Sequence, residues 1–168
     1  MKTQFFSGVY DTWESIQREK FAFLEKNLGF WFLRGRVLDL GLGKGFFENF
    51  LEERGYSISN IVGLDCDRNV LKSQRVASVL GNGNRLPFKK ESFDCVVCID
   101  TVHLLEKDFL WILKPLGLVL LSVFFNEQNY EKKRELIENK MKGFDILKYL
   151  VYEGREKEIF ILGRKRLI

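Results

Sequence analysis

Carboxylates and glycines are the residues in this chain whose types and spacing could do chemistry together. Val37-Leu38-Asp39-Leu40-Gly41-Leu42-Gly43-Lys44-Gly45 is an apolar run that carries one acid and closes on three glycines spaced by two. A buried run leading through glycines into Phe46 to Arg54 reads as strand, tight turn and helix, with the glycines letting backbone approach a ligand. Ile61-Val62-Gly63-Leu64-Asp65 ends on a second acid, about twenty residues past the glycines, where a carboxylate can take two ribose hydroxyls as charge-assisted hydrogen bonds. Dinucleotide sites use G-x-G-x-x-G and set a pyrophosphate on the helix N-terminus. The spacing here is G-x-G-x-G, and the fixed charge of Asp39 would repel a phosphate and suit a cation.

The pattern D-x-G-x-G-x-G from Asp39 to Gly45 resembles the first signature of the class I S-adenosylmethionine-dependent methyltransferases. Gly81-Asn82-Gly83-Asn84-Arg85-Leu86-Pro87-Phe88, followed by Ser92-Phe93-Asp94-Cys95-Val96, resembles the G-D-A-x-x-L-P-F and S-F-D-x-V segments of the ubiquinone and menaquinone biosynthesis group. Ile112-Leu113-Lys114-Pro115-Leu116-Gly117 is similar to that group's V-L-K-P-G-G, with Leu116 in place of a glycine. The resemblance implies S-adenosylmethionine as cofactor and S-adenosylhomocysteine as product. It also assigns roles: Asp39, Gly41 and Gly43 around the donor, Asp65 at the ribose, Asn82 and Gly83 at the adenine, with Cys66 and Ile99 as further cofactor-binding residues. Asn82 stands where the group has an acid, and its side-chain oxygen can accept the same bond. Tyr10, before a leading helix that covers the cofactor, would lie near the methionine end. His103 and Asp100, after the fourth strand, are the weak catalytic candidates, because methyl transfer from a sulfonium asks mainly for orientation.

These residues need a scaffold that brings strand ends together. Strands are expected at 37–40, 61–65, 77–80, 95–99 and 118–125, helices at 11–28, 46–53, 67–75, 105–113 and 127–141, and a hairpin at 144–162 around Glu153-Gly154-Arg155-Glu156. In the first helix Asp11 would be the N-cap and Glu14 would close a capping box. Alternating strands and helices closed by an antiparallel hairpin predict an α/β fold: a Rossmann-like, mostly parallel seven-stranded sheet with helices on both faces. A single methyltransferase domain over residues 1–168 is expected, with the cofactor-covering helix at 11–28 and the core at 36–163.

Composition narrows the partners. Three cysteines fit a reducing compartment, and Cys95 and Cys98, three apart on one strand, point to opposite faces and cannot chelate one ion. With a single histidine, no metal site is expected. No run reaches the length of a membrane span and the first residues lack a signal-peptide core, so a cytoplasmic location is expected. Net charge is +4, which permits an anionic partner without arguing for one. Arg155, Lys157, Arg164, Lys165 and Arg166 could touch nucleic acid or serve as a solvated basic end. The acceptor stays open between a small molecule, which is favoured, a partner-held protein and a tRNA; a protein partner or homodimer is compatible. A non-catalytic or partner-dependent cofactor-binding subunit is the alternative reading, and a nicotinamide-dependent oxidoreductase is the third, disfavoured by the glycine spacing and Asp39.

Overall fold

Near-continuous apolar runs make the central strands, buried on both faces, and their order decides where a crevice can open. The computed structural model describes the backbone of residues 7–167 and the side chains of residues 12–167. Among these, β1 (Val37–Leu40), β2 (Ile61–Asp65), β3 (Ala77–Leu80), β4 (Phe93–Cys98), β5 (Leu113–Phe125), β6 (Phe144–Glu153) and β7 (Lys157–Lys165) form one sheet in the order β3-β2-β1-β4-β5-β7-β6. Neighbours are parallel from β3 to β5, and β7 is antiparallel to both β5 and β6. The chain winds outward from β1 through β2 to β3, then returns to lay β4 on the other side of β1. That reversal leaves a crevice beyond the carboxyl ends of β1, β2 and β4.

Strand alternation splits the core in two. Val37, Cys95, Val97 and Phe160 face Phe21 and Leu24 of α1 (Ser7–Asn27) and Phe47, Phe50 and Leu51 of α2 (Phe46–Glu53). Leu38, Leu40, Val96, Cys98 and Leu121 face the other way, toward Ile137 of α3 (Tyr130–Lys140) and Met141 just beyond it. Cys95 and Cys98 therefore lie in different halves of the core, as their spacing demands, and burial pushes the Cys98 thiol up to about 12 and Cys95 higher still. Phe30 and Phe32 are core residues, while Trp31 between them is half exposed. No helix among the described residues is long and apolar enough to cross a membrane.

Two expected helices are not there, for a shared reason. Of 67–75 only a 3-10 turn, Val70–Ser73, forms, because Asp65 and Asp67 side chains capture the N–H groups of Asp67 and Asn69. Over 105–113 the chain makes one 3-10 turn, Leu110–Ile112, with another, Val102–Leu104, just before it. Asn84 Oδ1 takes the N–H groups of Glu106 and Lys107, and Asp108 takes that of Leu110. Side chains that bond backbone amides compete with helical bonds, and here they win. α1 begins at Ser7, so Asp11 lies inside the helix rather than capping it. β5 starts at Leu113, earlier than its apolar run, after a register shift against Phe93 and Cys95 that puts Leu116 at φ 61°.

Candidate functional site

Asp39 sits on the α1 and α2 face of β1, directly beside Gly63 of β2, and is buried. Asp65 closes β2 at the crevice. Two hollows meet there. The larger, about 320 Å³, runs over Leu64, Asp65, Cys66, Asn82 and Gly83; the smaller, about 160 Å³, lies between α1 and the turn and is lined by Trp13, Gln17, Asp39, Gly43, Ile99 and Asp100. Gly41, Asp65 and Thr101 line both, so the two are halves of one elongated site. The strand ends thus bring Asp39, Gly41, Gly43, Asp65, Cys66, Asn82, Gly83, Ile99 and Asp100 to a common crevice. His103 lines neither hollow; it packs edge-on against Phe124 at 5.8 Å, and burial followed by the nearby Lys133 charge lowers its pKa. Tyr10 belongs to α1, and its side chain lies outside the described residues.

The glycine turn is built to admit a ligand while offering it little hydrogen-bonding from its own amides. A Cβ at Gly43 would meet nothing closer than 3.9 Å, so that position opens on free space, whereas one at Gly41 would lie 2.5 Å from Thr101 Oγ1. Both glycines have positive φ, which a side chain would strain. Four of the turn's amides are already committed: Gly41 and Leu42 N–H donate to the Leu64 carbonyl, Gly43 N–H to Asp65 Oδ2 at 2.8 Å and Gly45 N–H to the Leu42 carbonyl. A pyrophosphate needs such amides free and pointing at it. What faces the crevice instead is acceptors: Asp39, Asp65 and Asp100. Asp65 Oδ1 also receives Asp67 N–H, yet each carboxylate oxygen keeps a lone pair for a hydroxyl. Asn82 Oδ1 is likewise half used, by Asn84 N–H at 2.8 Å. A cationic nucleoside without phosphate fits this set of groups.

Several residues at the site were not singled out by the sequence reading. Lys20 of α1 is wholly buried and ion-paired with Asp100 at 2.9 Å, Glu156 at 2.7 Å and Glu158. Burial alone would lower its pKa, but Glu158 and Asp100 outweigh that and hold it raised. Gln17 adds a bond to the same Asp100 oxygen at 3.1 Å, and Asp100 holds φ 60° while its N–H meets Ser122 Oγ. Asp100, Glu156 and Glu158 lie close enough to share a metal ion, but an ammonium already pairs with all three. The readable signal was Lys20 on the apolar face of α1, in register with Gln17, Phe21 and Leu24. Thr101 Oγ1 donates to the Leu40 carbonyl at 2.9 Å and ties the fourth strand's end to the first. Glu48 of α2 is buried beneath Asp39.

A methyltransferase-domain family model matches residues 38–120, from β1 into β5. The chain is 30% identical over 111 residues, 60% of its length, to the human mitochondrial arginine-hydroxylase NDUFAF5, and it spans about a third (32%) of that relative. A solved S-adenosylmethionine-dependent methyltransferase from Thermotoga maritima superposes with TM-score 0.67 at 20% identity, covering 96% of each chain. A methyltransferase from Haloferax volcanii, crystallised with its activator Trm112, gives TM-score 0.63 at 16% identity over 94% of this chain and 98% of that one.

Proposed function

We propose that this chain, whose residues 38–120 match a methyltransferase-domain family model, is a class I S-adenosylmethionine-dependent methyltransferase and methylates a small-molecule acceptor docked beside Asp100 and Thr101. S-adenosylmethionine, when bound, would supply a sulfonium methyl group for in-line transfer to the acceptor, with S-adenosylhomocysteine as the leaving group. In this reading Asp39 takes the ammonium of the methionine end, Asp65 the ribose hydroxyls, and Asn82 with Gly83 and Cys66 surrounds the adenine, with Ile99 beside it. Trp13, Gln17 and Phe21 of α1 roof the smaller hollow and exclude water. Asp100 takes Lys20 and Gln17 on one oxygen, Oδ2, and so fixes α1 over the site, while Oδ1 receives no bond among the described residues. The chemical work left to the chain is orientation, which suffices for several kcal/mol of rate enhancement.

The observation that carries this reading is the spent amides of the glycine turn beside three carboxylates: the site repels phosphate and attracts a cation. A hollow of about 510 Å³ at the same end of the sheet, lined by Phe124, Phe125, Gln128 and Arg155 among others, has room for a metabolite-sized acceptor. The basic end offers little to nucleic acid: Arg155 pairs with Glu19, Lys157 with Glu127, Arg166 with Asp145, and Lys165 donates to the Leu113 carbonyl. Calorimetric titration should give S-adenosylhomocysteine binding and no NAD binding, and NAD binding of equal strength would sink the assignment. A second reading, activity only with a protein partner, is favoured by the Haloferax volcanii relative's complex with an activator. Turnover of S-adenosylmethionine by the isolated chain with any acceptor would remove it.

A further inference from the structure

We propose that Glu48 is a positioning residue of the cofactor site: a buried carboxylic acid that keeps its proton and donates it to Asp39, leaving Asp39 as the ionised acceptor that meets the ligand's cation. This rests on the reading that Asp39 faces the ammonium.

Glu48 occupies the first turn of α2, and its side chain is turned inward among Phe47, Phe50 and Leu51 with 1% of its surface exposed. Among the described residues no N–H or O–H reaches either of its carboxyl oxygens. Asp39 lies on the face of β1 that α2 covers, and its carboxyl is the charged group that acts on Glu48. Two ionised carboxylates offer only acceptors to each other, and neither can be left dry and unpaired without a large cost. A proton between them removes both problems: one acid becomes a donor and the pair carries a single charge.

Position decides which acid holds it. Asp39 lines the smaller hollow, while Glu48 lines neither hollow and is the more deeply buried of the two, so ionising Glu48 costs more. Burial raises both groups, Asp39 to about 6 and Glu48 well above its ordinary range. Other charged groups near the pair do not reverse this. Asp65 on β2 opposes ionisation of Asp39, and the Cys98 thiol on β4 is held neutral. Lys44 and Asp100, the latter tied to Lys20 of α1, line the same hollow on the Asp39 side. On the outer surface of α2, Glu53 and Glu52 pair with Arg18 and Arg75, and the following Arg54 pairs with Glu25.

The test has two parts, both on the full chain. Infrared difference spectra of the ligand-free protein at pH 7.5 should contain a protonated-carboxyl C=O band that disappears in Glu48→Gln; a wild type without that band overturns the proposal whatever the ligand result. S-adenosylhomocysteine affinity is then followed by calorimetry from pH 5 to 8.5. Glu48→Leu should weaken binding about tenfold at neutral pH, the scale of a lost hydrogen bond to a charged group, and Glu48→Gln, whose amide N–H also donates, should restore it with an unshifted pH midpoint. A Glu48→Gln midpoint displaced downward by about one unit or more would mean that an ionised neighbour had been removed, and the proposal would be wrong. Absence of S-adenosylhomocysteine binding by the wild type at every pH would instead overturn the cofactor reading and leave the infrared result to decide on Glu48.

Discussion

Asp65 does two jobs that a single substitution will not separate cleanly. Its oxygens hold Gly43 N–H and Asp67 N–H, and in the proposed complex they also receive the ribose hydroxyls. Asp65→Ala removes charge and both acceptors, and the expected loss of S-adenosylhomocysteine affinity is about 1.5 to 3 kcal/mol, the range for hydrogen bonds to a charged group. Asp65→Asn keeps one acceptor oxygen and should lie between wild type and alanine. Unchanged affinity in the alanine variant, measured by calorimetry, would take Asp65 out of the site. At this scale the sequence was informative for residues that strand ends and glycines place by local rules: Asp39, Gly41, Gly43 and Asp65 were all readable. Glu48 was not, because an acid in the first turn of a helix looks like a favourable dipole partner and nothing local says that it is turned inward.

Among the elements, α1 is the one whose docking is most exposed to a single change. Its buried Lys20 reaches Asp100, 80 positions away, and the hairpin acids Glu156 and Glu158. Breaking one partner of a buried ionic cluster typically costs about 3 to 5 kcal/mol, since the remaining charges stay dry and unpaired. Lys20→Met should therefore lower stability by about 3 kcal/mol at pH 7.5 in urea unfolding, and by less at pH 5, where burial lets the Glu158 carboxyl take up a proton. Equal losses at both pH values would refute this account. A smaller effect of opposite sign is expected at Leu116, whose φ of 61° is a left-handed conformation disfavoured for a branched side chain that is here half exposed. Leu116→Gly should raise stability by about 0.5 to 1 kcal/mol, because the relief of strain exceeds glycine's entropic cost. Elements were legible in proportion to how local their causes are. β2, β3 and α2 have the bounds that the sequence predicts, since short apolar runs and the flanking glycines decide them. The missing helix at 105–113 was not legible, because its amides are taken by Asn84 from a distant loop.

For the molecule as a whole, the acids divide into two groups that titrate in different windows, and the division predicts how stability follows pH. Lys114 and the Arg36 N–H outweigh burial and hold Asp94 below the usual carboxylate range, as the Arg155 and Arg18 guanidiniums do for Glu19 and Glu53. Their stabilisation is present above the unfolded carboxylate range and is lost only as pH falls below about 4. Asp39, Glu48 and Glu158 are shifted the other way by burial, Asp39 to about 6. The folded chain then binds more protons than the unfolded one above about pH 4.5, so stability falls as pH rises through the folded values of these groups. His103, held below its ordinary value, acts in the opposite sense near pH 6 and offsets part of the slope. Each proton retained only by the folded state contributes a slope of about 1.4 kcal/mol per pH unit over its window. The ligand-free wild type should accordingly unfold at a lower temperature at pH 8 than at pH 5.5, and Glu48→Gln, which has no proton to retain, should show a visibly flatter profile. Calorimetric melting across that range decides it: parallel profiles for the two proteins would mean that Glu48 carries the same proton in the folded and the unfolded chain.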